Sequence, residues 1–208
     1  MKNVLLLLAA LCVFVGVANA EDSYVEYRFH NLSLKVPKCL SLRGDQNVAN
    51  KIATKITDAV SLSDERVVFQ PVGLNSQDRK EYLDASSKYC RVILERVYVD
   101  DFYTDEEMRN LREDDETMYY LKQAQKEEIE RWWKLKKIEM SVAFFQDKPC
   151  LFCGFVRSGL NGDVSVQMLT FFEGHDKYVL TLSYRLSEEH LWRDALFSIK
   201  CSLKYEKR

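Results

Sequence analysis

Few residues in this 208-residue chain are of types that do chemistry: six cysteines, three histidines and three tryptophans stand out. Cys150-Leu151-Phe152-Cys153 is the one motif with a reaction attached to it, a CxxC pair of the kind used in thiol–disulfide exchange. Such a pair works when its first cysteine starts a helix, where the dipole lowers the thiol pKa. The short stretch from Cys153 to the turn-forming pair Asn161-Gly162 leaves no room for that helix, and Leu-Phe between the thiols favours a strand. In a strand, positions i and i+3 face opposite sides about 10 Å apart, whereas a disulfide needs Cα atoms within about 7 Å. Cys150 and Cys153 are therefore expected to be two separate core residues, and they stand as redox candidates only under an alternative reading. His30, His175 and His190 fall beside a strand, in a turn and at a helix start, and a single CxxC supplies two ligands where structural zinc needs four. No metal or other cofactor is expected. Gly159-Leu160-Asn161-Gly162-Asp163 lacks the Lys-Ser/Thr of a phosphate loop, and neither GxSxG nor HExxH occurs.

Trp132 and Trp133 are the other residues of note. Read as neighbours on a helix, their side chains diverge by about 100°. The expectation is that one packs in the core while the other lies at its edge or on an interaction surface. Tryptophan is enriched in binding hot spots, so both are candidate interaction residues.

These side chains need elements to hold them. Hydrophobic residues make up 47% of the chain and aromatics 12%, with only 7 Gly and 3 Pro, which excludes disordered and collagenous chains. Thirty basic residues against 32 acidic ones give a net charge of −2, without the basic surplus that a nucleic-acid binder needs. Tyr24 to Phe29 and Leu32 to Val36 read as strands around His30-Asn31. Residues 46–60 place Val48, Ile52, Ile56, Ala59 and Val60 on one helical face behind Asp45 as N-cap. Arg66 to Gln70 is a short strand stopped by Pro71, the polar stretch Gly73 to Ser87 reads as a loop, and Tyr89 to Val99 is a β-branched strand.

Thr104 with Glu107 forms a capping box that opens a helical region over 105–137. One unbroken helix of that length would measure about 50 Å, against about 40 Å for the whole domain, so a break is expected in Glu113 to Glu116. The seven acids of residues 105–116 lack the spacing of a calcium loop and read as a solvated face. From Ile138 the period is two. Four strand-like runs follow (138–145, 150–157, 164–172 and 178–186), and Asn161-Gly162 is the sequence of a type I′ hairpin. Ser187 then caps a closing helix whose inner face is Leu191, Trp192, Ala195, Leu196 and Ile199.

Residues 1–20 have the three parts of a secretory signal: Lys2, an apolar run from Val4 to Val17, and Ala18-Asn19-Ala20 at the cleavage site. The apolar run is shorter than the ~20 residues of a membrane-spanning helix. The mature chain is expected to start at Glu21, to form one domain over 21–208 with no transmembrane segment, and to work as a secreted or periplasmic protein. It keeps five cysteines, an odd number, so at least one thiol is free or pairs between chains. Asn31-Leu32-Ser33 matches a glycosylation sequon.

The run Val164 to Leu203 carries a resemblance. A strand ends in Phe171-Phe172, a Gly174 turn leads to Lys177-Tyr178-Val179-Leu180-Thr181, and Ser187-Glu188 precedes a helix with Trp192, Phe197 and Ile199 inward. Together with Leu32-Ser33-Leu34-Lys35-Val36-Pro37 this resembles a PsbP-like domain, the α/β/α sandwich shared by a photosystem extrinsic subunit and a Ran-binding nuclear import factor. The resemblance covers residues 24–40 and 138–205, and the helical stretch 104–137 departs from its simplest form. It implies an α+β fold, with an antiparallel sheet and its C-terminal four-strand meander packed against helices. It also implies a non-catalytic binding or assembly module whose partner is an envelope protein or a small ligand, and it carries over no catalytic residues. The alternatives are a thiol–disulfide oxidoreductase using Cys150 and Cys153, and a hydrolase that joins His175 or His190 to a carboxylate distant in sequence.

Overall fold

Alternating apolar residues at the N-terminus produce a hairpin. In the computed structural model, which describes residues 23–44, 59–62 and 65–206, β1 (Tyr24–Phe29) and β2 (Leu32–Pro37) pair antiparallel with Phe29 opposite Leu32. β4 (Ala59–Leu62) runs parallel to β1, and β11 (Lys204–Tyr205) pairs with β2, giving a four-stranded sheet of order β11-β2-β1-β4. Residues 1–20 and most of the expected helix 46–60 lie outside the described residues. Its last two positions, Ala59 and Val60, belong to β4 instead.

After Pro37 the chain turns into a second sheet. β3 (Leu40–Leu42), β5 (Arg66–Pro71), β6 (Cys90–Tyr98), β7 (Leu135–Phe145), β8 (Lys148–Arg157), β9 (Val164–Glu173) and β10 (Asp176–Arg185) form an antiparallel seven-stranded sheet of order β3-β5-β6-β10-β9-β8-β7. The C-terminal meander β7–β10 is as expected from the period-two pattern. The single sheet of the sequence reading is in fact two. The hairpin separates from β3 so that its apolar residues can cover one face of the larger sheet.

That face holds the main core. Phe29, Leu34 and Val36 of the small sheet meet Phe69, Leu94, Phe171 and Leu180 of the large one, with Trp192, Leu196 and Ile199 from α4 (Glu189–Ser202). Each fully buried Phe or Leu contributes about 1.5–3 kcal/mol. The opposite face is covered in part by α2 (Asp105–Asn110) and α3 (Glu116–Glu130). Met108 and Met118 pack on Leu151 and Phe172, while Ile129 packs near Cys153, Phe155 and Val166. Helices thus lie on both sides of the large sheet, an α+β sandwich.

Several local readings change. Residues 73–87 are a 3-10 turn (Val72–Asn75) and α1 (Arg79–Ser86), capped by the Asp78 side chain, which accepts from the Lys80 and Glu81 backbone N–H groups. α1 buries only Ala85, so its sequence carries no apolar stripe to find. It sits so close to the 3-10 turn that a Cβ at Gly73 would lie 2.8 Å from the Ala85 side chain. The helical region does break in the acidic run, between Asn110 and Glu116, and Thr104 and Glu107 do form the capping box. However, α3 stops at Glu130, and Lys136 and Lys137 belong to β7. α4 begins after a 3-10 turn (Leu186–Glu188) with no side-chain cap, so Ser187 is not its N-cap. Leu191 and Phe197 face solvent rather than the core.

Asn161-Gly162 does not form a type I′ turn, since only Gly162 has positive φ there. The two-residue loop with both φ values positive is Gln146-Asp147, at 48° and 66°, between β7 and β8.

Candidate functional site

Cys150 and Cys153 both lie in β8, buried on opposite faces of the large sheet. Cys150 joins the main core, and Cys153 packs under Ile129 of α3. Burial pushes the Cys150 thiol up to about 12, partly offset by its hydrogen bond to Ala143 backbone. Burial, with Glu139 adding to it, pushes Cys153 up to about 11. This is the reverse of the acidic, exposed thiol that disulfide exchange uses. Cys39, Cys90 and Cys201 are unpaired as well.

His175 sits in the β9–β10 turn, its Nδ1 2.9 Å from the Val99 carbonyl oxygen, stacked on Tyr98 and edge-on to Phe102. His190 lies beside Ser187 and Asp194 in a surface depression, with no hydrogen bond from its ring to either among the described residues. No group of three or more His, Cys, Asp or Glu among the described residues is placed to hold a metal ion. Asn31 of the sequon is only 8% exposed, and its Nδ2 donates to the Glu173 carboxylate, so the folded chain does not present it to a glycosylating enzyme.

Trp132 and Trp133 follow the end of α3, their backbone N–H groups still bonded to the Ile129 carbonyl at 3.1 and 2.9 Å. Neither is a core residue: they are 74% and 46% exposed. The expectation that one of them packs inside is corrected by the early end of the helix. The chain turns toward β7 at Arg131, and both rings come to lie over the open side of the large sheet.

There they border a groove between α3 and the outer face of β6 and β10. One part, about 240 Å³, is lined by Glu128, Ile129, Trp132 and Trp133 at the end of α3 and by Ile93, Phe155 and Thr181 of the sheet. It continues past Tyr89, Trp133 and Arg157 into a second part of about 470 Å³, walled by Lys88, Arg91 and Arg185 and rimmed by Leu160, which is 99% exposed.

The groove's aromatic and cationic side chains are held in place. The Arg157 guanidinium stacks on the Trp133 ring with its Cζ 3.8 Å from the centroid, an arrangement worth about 0.5–2 kcal/mol. Its Nη2 donates to the Tyr89 hydroxyl at 3.3 Å and its Nη1 to the Ser158 carbonyl at 3.2 Å. The Arg91 guanidinium lies over the Tyr89 ring, its Cζ 5.5 Å from the centroid. Burial pulls the Arg91 pKa below its ordinary value, and the nearby Arg43 cation acts in the same direction. Arg185 is tied back to Glu188 and to the Ser87 carbonyl.

Of these residues only the tryptophans were visible in the sequence as candidates. Arg91 and Arg157 carried at most a faint signal, each a cation within or at the end of a short apolar run, YCRVIL and CGFVR. Tyr89 carried none.

No protein-family model and no curated protein matches the chain. Among solved structures it is similar to cyanobacterial PsbP (CyanoP) of Synechocystis sp. PCC 6803, at 9% identity and a TM-score of 0.49 over 88% of this chain and 92% of that one. It is similar as well to protein PA94 of Pseudomonas aeruginosa, at 10% identity and a TM-score of 0.46 over 89% and 99% of the two chains. LpqN of Mycobacterium tuberculosis, involved in cell envelope biogenesis, compares at 12% identity and a TM-score of 0.42 over 88% and 91%. No helix among the described residues is long and apolar enough to cross a membrane.

Proposed function

We propose that this chain is a non-catalytic binding module that works outside the cytoplasm, as one domain over residues 21–208, without a cofactor. The observation that carries the reading is the groove beside α3. Two tryptophans stand in solvent there while an arginine stack and a tyrosine hydroxyl fix the geometry around them. Exposed tryptophan with a preset cationic neighbour is characteristic of recognition surfaces. The raised thiol pKa values of Cys150 and Cys153 support the part of the reading that excludes thiol–disulfide exchange.

The address rests on the signal-like residues 1–20, and the intact mass of the exported chain is expected to begin at Glu21. For the groove, photo-crosslinking p-benzoylphenylalanine is placed at position 132 and, as a control, at the exposed Tyr82 of α1. Adducts with an envelope protein or small molecule are expected at 132 and absent at 82. Equal labelling at both positions, with no co-purifying mass in native mass spectrometry, sinks the reading.

A further inference from the structure

We propose that the groove binds a small amphipathic anion, its carboxylate or phosphate held by Arg91 and Arg157 and its apolar body laid on the Trp132–Trp133 shelf. The inference rests on the binding-module reading and narrows it to a ligand class.

The charges are the first reason. Arg91 and Arg157 are both half-buried, both touch Tyr89 and both line the same cavity. Neither forms an ion pair among the described residues, in a chain with 32 acidic side chains available. A cation taken partly out of water without a counter-ion is unfavourable, and an anionic ligand removes that cost. The wall of the larger cavity, moreover, holds Arg91 and Arg157 with the paired cations Lys88 and Arg185 and no carboxylate, and Glu128 lines only the smaller cavity. Guanidinium groups are suited to the task because their planar fork matches the oxygens of a carboxylate or phosphate.

The donors are the second reason. Arg157 spends two of its N–H-bearing nitrogens on Ser158 and Tyr89 and its face on Trp133, and Arg91 donates from Nη1 to the Cys90 carbonyl. A guanidinium has five N–H bonds, so each retains donors for a ligand after its own position is fixed. Size is the third. Adjoining cavities of about 470 and 240 Å³ fall in the range of small-molecule sites, about 300–1,000 Å³. The smaller cavity supplies the apolar half, with Phe155, Val166 and Met168 at its floor.

Isothermal titration of the mature chain with 2-naphthyl phosphate, 2-naphthoate and neutral 2-naphthol tests this. The two anions are expected to bind at least about tenfold more tightly than 2-naphthol, and added salt is expected to weaken them alone. Arg91→Gln and Arg157→Gln each reduce 2-naphthyl phosphate affinity about tenfold, and Trp132→Ala weakens all three probes. Salt dependence on the unaltered chain keeps the test decisive should an arginine variant not fold. Equal affinity for 2-naphthol and the anions overturns the anion assignment but leaves the groove as a binding site. No binding by any probe overturns the small-ligand proposal, and crosslinking at position 132 then decides the parent reading separately. Binding to phosphatidylglycerol vesicles or to a Glu-rich peptide, with none to the naphthyl anions, also overturns it by placing the anion on a larger partner.

Discussion

Burial decides what the individual polar and sulfur-bearing residues of this chain do. With Cys150 pushed up to about 12 and Cys153 to about 11, only about one thiol in 10⁴ and one in 10³ is ionised at pH 8. Thiolate is the reacting form, and Cys90 is buried and raised by the same cause. In the folded chain, Ellman's reagent at pH 8 is therefore expected to modify the exposed Cys201 quickly, the exposed Cys39 more slowly because burial raises its thiol pKa, and the other three only after denaturation. Fast modification of Cys150 or Cys153 in the folded state would contradict the buried geometry. The face assignment of this pair was legible in the sequence, because alternation along a strand is a local rule. The exposure of Trp132 and Trp133 was not, since it follows from where α3 stops, and no strong breaker marks Glu130.

At the scale of elements, turns and caps show where local sequence and local structure agree. Gln146 and Asp147 both take positive φ in the β7–β8 loop, a conformation that costs ordinary residues about 1 kcal/mol each and suits Asn-Gly. The double replacement Gln146→Asn/Asp147→Gly is expected to raise stability by about 0.5–1 kcal/mol, read as a higher midpoint in urea denaturation. A lower midpoint would show that the loop needs its present side chains.

The α2 capping box gives a pH-dependent effect. Hydrogen bonds from the Thr104 backbone and hydroxyl hold the Glu107 pKa below the usual carboxylate range. A depressed folded-state pKa contributes stability above the ordinary carboxylate pKa, and that contribution is lost as pH falls through the folded value. Glu107→Gln, which removes the charge that these bonds stabilise, is thus expected to destabilise the chain at pH 7 and clearly less at pH 3. Denaturation curves at the two pH values check this, and an equal loss at both would exclude the Glu107 linkage. The hidden element was α1, whose solvent-facing side chains leave only the Asp78 cap as a signal.

Across the whole molecule, Glu188 joins parts that are far apart in sequence. Its carboxylate accepts from the Tyr89 backbone N–H at 2.8 Å and from Trp192 Nε1 at 3.0 Å, and it pairs with Arg185, both side chains being less than 15% exposed. It thereby fixes α4 to β6 and β10 and supports two residues of the groove, Tyr89 and Arg185. Glu188→Ala leaves a buried cation and two donors short of an acceptor, so a loss of about 3–5 kcal/mol is expected. Guanidinium denaturation measures it directly. A loss under about 1 kcal/mol would mean that water replaces the carboxylate without penalty.

Composition, the period-two runs and the capping box determined that this is an α+β protein with a C-terminal meander, because those signals act over a few neighbouring residues. They also kept Cys150 and Cys153 apart. Tertiary structure alone decided that the strands divide into two sheets, that both tryptophans face solvent, and that Arg91, Tyr89, Trp133 and Arg157 share one groove. Those outcomes depend on how separate apolar faces cover one another. That competition is settled by the total surface removed from water, which no short window of sequence contains.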